Sequence, residues 1–186
     1  MTVTVTPETF SLVSFDGGEI KSVVEDLLPA IGFAAGFDVR IEVDETTPLG
    51  RAVVTSYDNP VVIEVESGAL EDPKKPRFVS RTGSADVLGR LLFRVRDRLD
   101  PSFGEPPPDA DLSLQLSVAW DVYSIGRLVR LGFRHHDNRQ RRLYHFRNRH
   151  GFTDAADEAF ERLWTGDDLT WNDIVSLSDK AAAVAA

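Results

Sequence analysis

The sequence predicts an α+β fold: an N-terminal helix and a small antiparallel meander, packed with a mainly helical C-terminal half. Three observations lead there. Short runs of β-branched residues bounded by turn residues lie between positions 39 and 65. Apolar stripes at steps of three and four come before and after them. A stiff stretch with three consecutive prolines, Gly104 to Ala110, separates the two kinds of pattern. A chain of 186 residues is enough for one hydrophobic core. A single domain over 1–186 is therefore expected, with an α/β half (1–103), the connector 104–110 and a helical half (111–186).

Residues 2–15 read as extended. Thr and Val alternate first, then Phe10, Leu12 and Ser14 face one way and Val13 and Phe15 the other. Asp16-Gly17-Gly18 is a turn signal. Beyond it Ile20, Val23, Val24, Leu27, Leu28 and Ile31 form a helical stripe, with Glu19 in the first turn, where a negative charge suits the dipole. Pro29 should bend that helix or end it early. Val39, Ile41 and Val43 alternate with charged residues as a half-buried strand. Runs at 52–55 and 61–65, preceded by Pro48-Leu49-Gly50 and Asn59-Pro60, complete the expected meander. Glu71 to Arg77, with two prolines and two lysines, reads as a solvated loop.

Ser84 is the expected N-cap of a second helix, whose stripe is Val87, Leu88, Leu91, Leu92, Val95 and Leu99. Arg90, Arg94 and Arg98 fall opposite that stripe, mixed with Asp86 and Asp97, and Pro101 ends the helix. From Asp111 to Leu131 apolar residues occupy nearly every side, the pattern of a central, buried helix. It keeps one polar stripe, Ser113, Ser117, Asp121 and Ser124, and stops at Gly132. Residues 138–150 suit either a short helix, capped by Asp137 and ended by Gly151, or a strand over Leu143 to Phe146. Helices near 154–164 and 170–183, with Thr153 and Thr170 as caps, close the chain.

The composition excludes several chemistries. With no cysteine there is no disulfide, thiol nucleophile, iron–sulfur ligation or cysteine-based zinc site. The first residues lack the basic start and apolar run of a signal peptide, and no stretch reaches 18 apolar residues. A soluble, cytoplasmic protein without a membrane partner is expected. All four histidines (135, 136, 145, 150) fall within 16 residues, but their spacing puts no ligand pair on one face, and the surrounding arginines repel a dication. No metal and no cofactor is expected.

Catalytic signatures are equally sparse. The order helix, strands, helix over 19–99 is compatible with a minimal zinc-peptidase core. Its second helix would need His-Glu-x-x-His, and it reads Gly89-Arg90-Leu91-Leu92-Phe93 instead. A catalytically degenerate hydrolase-like domain is therefore one alternative. Ser80 to Ser84 precedes a helix start, where backbone N–H groups can receive an anion, but its spacing matches no nucleotide-binding loop. No Gly-x-Ser-x-Gly elbow is present. Whether the chain is an enzyme stays open on sequence.

The strongest feature is a segregation of charge. Eight arginines (127, 130, 134, 139, 141, 142, 147, 149) lie between 127 and 149 against one acid, Asp137. That segment carries a formal +7, which leaves −16 on the rest of a chain whose net charge is −9. Arginine forks interleaved with aromatic residues are the footprint of phosphate or nucleic-acid contact. The expected site is Arg134, Arg139, Arg141, Arg142, Tyr144, His145, Arg147 and Arg149. The expected function is non-catalytic binding of an anionic small molecule or RNA. The competing expectation is a structural or assembly protein whose basic face docks on an acidic protein surface, its own in a homo-oligomer or a partner's. Phe152 is placed with Trp120, Tyr123, Phe160 and Trp164 among the core aromatics.

Overall fold

The computed structural model describes residues 1–133 and 139–183. The fold is mixed α+β, with the strands in the N-terminal part and helices dominating the C-terminal part. Two compact units divide the chain. The first takes in Met1–Val95 and Phe133, and the second Arg96–Gly132 and the chain from Arg139 onward.

In the first unit, β1 (Val3–Thr6), β2 (Val39–Asp44), β3 (Ala52–Ser56) and β4 (Val61–Glu66) form one sheet in the order β1-β2-β4-β3. The expected strands are present, but their pairing is mixed. β1–β2 and β2–β4 run parallel, and β3–β4 is the antiparallel pair. Between β1 and β2 the chain passes through α1 (Gly17–Ile31), because parallel neighbours need a crossover rather than a tight turn. The parallel register sets Val39, Ile41 and Val43 beside Val61, Ile63 and Val65, all six buried.

Local chemistry explains where these elements stop. β1 ends against Pro7, which has no N–H for the ladder. The chain after it is not the extended strand expected over 8–15. Glu45 accepts hydrogen bonds from the N–H groups of Ser11 (2.7 Å) and Leu12 (2.6 Å), which holds its carboxyl below the usual range, and Arg77 donates to the Leu12 carbonyl. Asp16 caps α1 by accepting from the Gly18 N–H at 2.8 Å, and the whole predicted stripe is buried. Pro29 sits inside the last turn without ending the helix, which runs on to Ile31. Gly32 then closes it in the left-handed conformation (φ 93°), with its N–H and that of Phe33 on the Leu28 carbonyl.

Three further expectations differ from the structure. The stretch 71–77 is not simply a loop: β5 (Glu71–Asp72) and β6 (Lys75–Val79) form a hairpin, turned where the Asp72 carboxylate accepts from the Lys74 N–H at 2.8 Å. α2 (Arg81–Leu99) begins a turn earlier than Ser84 would allow. Its cap is Ser80, whose Oγ accepts from the Gly83 N–H at 3.1 Å, and Ser84 is buried inside the helix. The side of α2 expected to be polar is also largely buried, including Asp86, Arg94 and Asp97.

The second unit holds the end of α2, then α3 (Leu114–Arg130), α4 (Arg139–His150), α5 (Asp154–Thr165) and α6 (Trp171–Ala183). Thr153 and Thr170 cap α5 and α6 as expected; at Thr170 the hydroxyl accepts from the Asp173 N–H, and Asp173 accepts back from the Thr170 N–H at 2.9 Å. The core centres on Trp120, stacked on Phe103 (5.6 Å between centroids) and tilted against Trp171 (5.2 Å), with Tyr123, Phe146, Phe160 and Leu163 beside it. Within this core the Asp97 carboxylate, 4% exposed, accepts from both terminal nitrogens of Arg127 (2.7 and 2.6 Å) and from the Trp120 indole (2.8 Å). The Arg127 guanidinium also lies 3.8 Å over the Tyr123 ring.

Two substitutions test this packing. Asp97→Ala leaves the Arg127 charge without this carboxylate, and should cost about 3–5 kcal/mol in a denaturant titration. At Gly126 a Cβ would land on the Trp164 backbone of α5, so Gly126→Ala should cost about 1–3 kcal/mol although alanine is the better helix former. A melting temperature unchanged by Gly126→Ala would refute that close helix–helix approach.

Candidate functional site

The basic segment resolves into two groups with different roles. Arg127 and Arg130 belong to α3 and serve the helical unit. Arg127 is bound to Asp97, as above. Arg130 reaches the carbonyl oxygens of Trp164 and Gly166 and the Asp167 carboxylate, the last at 2.6 Å, and so fastens the turn that ends α5.

The remaining described residues of the segment form α4, and the alternative of a strand over Leu143 to Phe146 is gone. Five of its twelve residues are arginine and none is acidic. Its inner face is Leu143, Phe146, Arg147 and His150. Phe146 is fully buried, edge-on to Phe160 at 5.9 Å. Arg147 forms a two-pronged ion pair with Asp157 of α5. That hydrogen bonding holds the Asp157 carboxyl below its usual range and the guanidinium above its own. Arg139 pairs with Glu161 and lies over the Phe160 ring at 5.4 Å. Arg142 is half-buried.

The outer face is different. Arg141, Tyr144, His145, Asn148 and Arg149 are all exposed. Residues four apart on a helix lie one above the other. Arg141, His145 and Arg149 therefore form one basic row, with successive members about 6 Å apart from the 1.5 Å rise per residue. Tyr144 and Asn148 form the neighbouring row; the helix ends at His150, and after Gly151 (φ 107°) Phe152 brings its ring back against Tyr144. Tyr144 is 60% exposed and Phe152 61%, their rings edge to face at 5.8 Å. Phe152 is thus a surface residue, not a core one. Its place one residue past Gly151, the helix stop the sequence itself marks, is the sequence signal that takes it off the Leu143–Phe146–His150 stripe. Arg134, the remaining expected site residue, lies outside the described residues, as do His135, His136 and Asp137.

His150 is buried and structural. Its Nδ1 faces the Phe146 carbonyl at 3.1 Å, so that nitrogen carries the proton, and Nε2 accepts from the Ser178 hydroxyl of α6 at 2.9 Å. The ring also stacks on Phe146 at 3.9 Å. Burial lowers its pKa, partly offset by the Phe146 carbonyl. Among the described residues, no group of three His, Cys, Asp or Glu side chains is placed to hold a metal.

Two concavities among the described residues have other electrostatics. On the open face of the sheet, a cavity of about 470 Å³ is lined by Glu42, Asp44, Glu64 and Glu66 with Arg51. Glu42 faces Glu64 and Asp44 faces Glu66 in the β2–β4 register, so this surface disfavours anions. In the helical unit a cavity of about 210 Å³ is lined by Arg96, Asp97, Tyr123, Arg127, Asp167 and Asp168, among others. Its arginines are matched by carboxylates. Burial raises the Tyr123 pKa there, and its hydroxyl is engaged by the Leu169 N–H at 3.1 Å. The segment Asp16-Gly17-Gly18 has its Gly18 N–H occupied by Asp16.

The buried imidazole generates a pH dependence. The unfolded chain binds a proton at His150 near pH 6.5, while the folded chain resists it. Stability from this group is therefore complete above about pH 6.5 and falls as pH drops from there toward the lower folded pKa. His150→Gln should flatten the slope of stability against pH in that window, read by denaturant titration at several pH values. An unchanged slope would place the proton uptake elsewhere.

Against protein-family models, curated proteins and solved structures, the chain has no match.

Proposed function

We propose that this chain is a cytoplasmic, non-catalytic binding protein that holds the phosphate groups of an anionic ligand on the outer face of α4. The observation that carries this reading is the exposed row Arg141, His145, Arg149 on a helix without a single acidic residue. Guanidinium forks suit phosphate oxygens. Charge segregation supports the same reading, because the strongly negative remainder repels anions from the rest of the surface and leaves this face as their point of approach. Arg139 and Arg147 contribute from beneath, since their ion pairs with α5 fix the orientation of the helix.

A second reading rests on a specific observation. The same helix already seats two of its arginines on carboxylates, Glu161 and Asp157, so its chemistry also fits an acidic protein surface. Docking of that kind would make the chain an assembly protein, and association would then respond to the same substitutions.

Arg141 and Arg149 are the appropriate pair to change, because Arg142 is half-buried. Replacing both with Gln should weaken binding to a phosphate polyanion. The salt dependence of log K should become shallower by roughly 0.7–0.9 per arginine removed. The melting temperature should stay nearly constant, since exposed positions usually change stability by no more than about 0.5 kcal/mol. If no phosphate-bearing ligand binds the unaltered chain and the substitutions instead break an oligomer seen by light scattering, the assembly reading replaces this one.

A further inference from the structure

The basic row is only half of the outer face of α4. Beside it stand two aromatic rings, Tyr144 of the helix and Phe152 just past its end, in edge-to-face contact at 5.8 Å and each about three-fifths exposed. Large rings left in water next to a line of arginines need an explanation. A core role is ruled out by their exposure, and the buried aromatics of the unit form a separate cluster around Trp120 and Phe160. We propose that this face binds single-stranded nucleic acid: the row Arg141, His145, Arg149 tracks consecutive phosphates, while Tyr144 and Phe152 stack on unpaired bases. The proposal rests on the phosphate-binding reading above and names its ligand class.

Three features favour a single strand over other phosphate ligands. The basic row spans about 12 Å along the helix, eight residues at 1.5 Å each, which suits a chain of phosphates better than one. The surface is an open helix face rather than a cleft, whereas small-molecule sites are concave and bury most of their ligand. The exposed aromatic pair requires bases whose flat faces are free, and a duplex keeps those faces stacked inside. Aromatic platforms beside a positive track are how proteins hold single strands with little sequence preference. One turn along from Tyr144, the exposed Asn148 amide can both donate to and accept from a base edge.

The test uses the full chain and fluorescence anisotropy. The probes are a short unstructured oligouridine, a DNA strand of the same length, a duplex, and inorganic polyphosphate. The single strands should bind more tightly than the duplex. Tyr144→Ala and Phe152→Ala should each weaken single-strand binding about 5- to 150-fold, the equivalent of roughly 1–3 kcal/mol per stacked base. Polyphosphate binding should be unaffected by either change, and Tyr144→Trp should retain single-strand affinity. Binding by either the RNA or the DNA strand supports the proposal. Full single-strand affinity in the alanine variants, or duplex and polyphosphate bound as tightly as the single strands, overturns the stacking proposal and leaves the phosphate reading intact. Failure of every polyanion to bind the unaltered chain overturns both. Because both rings are exposed, the variants should melt as the parent does, so lost affinity can be read as lost contact.

Discussion

Asp97 is the constraint around which the helical unit is organised. A carboxylate this deeply buried is costly unless its oxygens are fully hydrogen-bonded, and here three donors converge on it: two from Arg127 and one from Trp120. Each donor then fixes something larger. Trp120 is held in the orientation that stacks it on Phe103 and sets it against Trp171, and the Trp171 N–H closes on the Phe103 carbonyl at 2.7 Å. Arg127 is pinned flat against Tyr123, whose hydroxyl in turn receives the Leu169 N–H. One acid at the end of α2 thereby sets the rotation of α3 and the approach of α6.

The same economy of charge separates scaffold from surface further along the chain. Four arginines each meet an acid elsewhere in the unit: Arg127 meets Asp97, Arg130 meets Asp167, Arg139 meets Glu161 and Arg147 meets Asp157. These pairs differ in weight. The Asp97 pair is buried and its loss would strand a charge, whereas the half-exposed pairs of α4 with α5 are screened and contribute little stability each. What they supply is orientation. With Phe146 and His150 packed inward, α4 can only turn Arg141, Tyr144, His145 and Arg149 outward.

How legible this was in the sequence varies by element. The stripe of α1, the strands β2 and β4, and the caps of α5 and α6 could all be read directly, because each depends on residues within a turn or two. Ser84 misled because it looks like a cap from composition alone, while the cap is decided by which serine, Ser80, has a helix N–H to receive. The hairpin of β5 and β6 was hidden by its prolines and lysines. Their polarity reads as loop, but the Asp72 turn and the pairing of Glu71 with Val79 suffice to form it. The site was half legible: the basic segment stood out by count, yet counting could not say which arginines pack against α5 and which lie on the outer face of α4.

By itself, then, the sequence determined the α+β class, most helices and strands, the absence of thiol chemistry and the concentration of positive charge near α4. Those are properties of composition and of local period, 3.6 for helices and 2 for strands. Only the tertiary structure decided that β4 lies between β2 and β3, that Asp97 is a buried hub, and that Tyr144 and Phe152 face water while Phe146 does not. The physical reason is distance along the chain. Arg127 finds Asp97 across 30 residues and Arg130 finds Asp167 across 37, and no local pattern encodes which distant carboxylate a given arginine will meet.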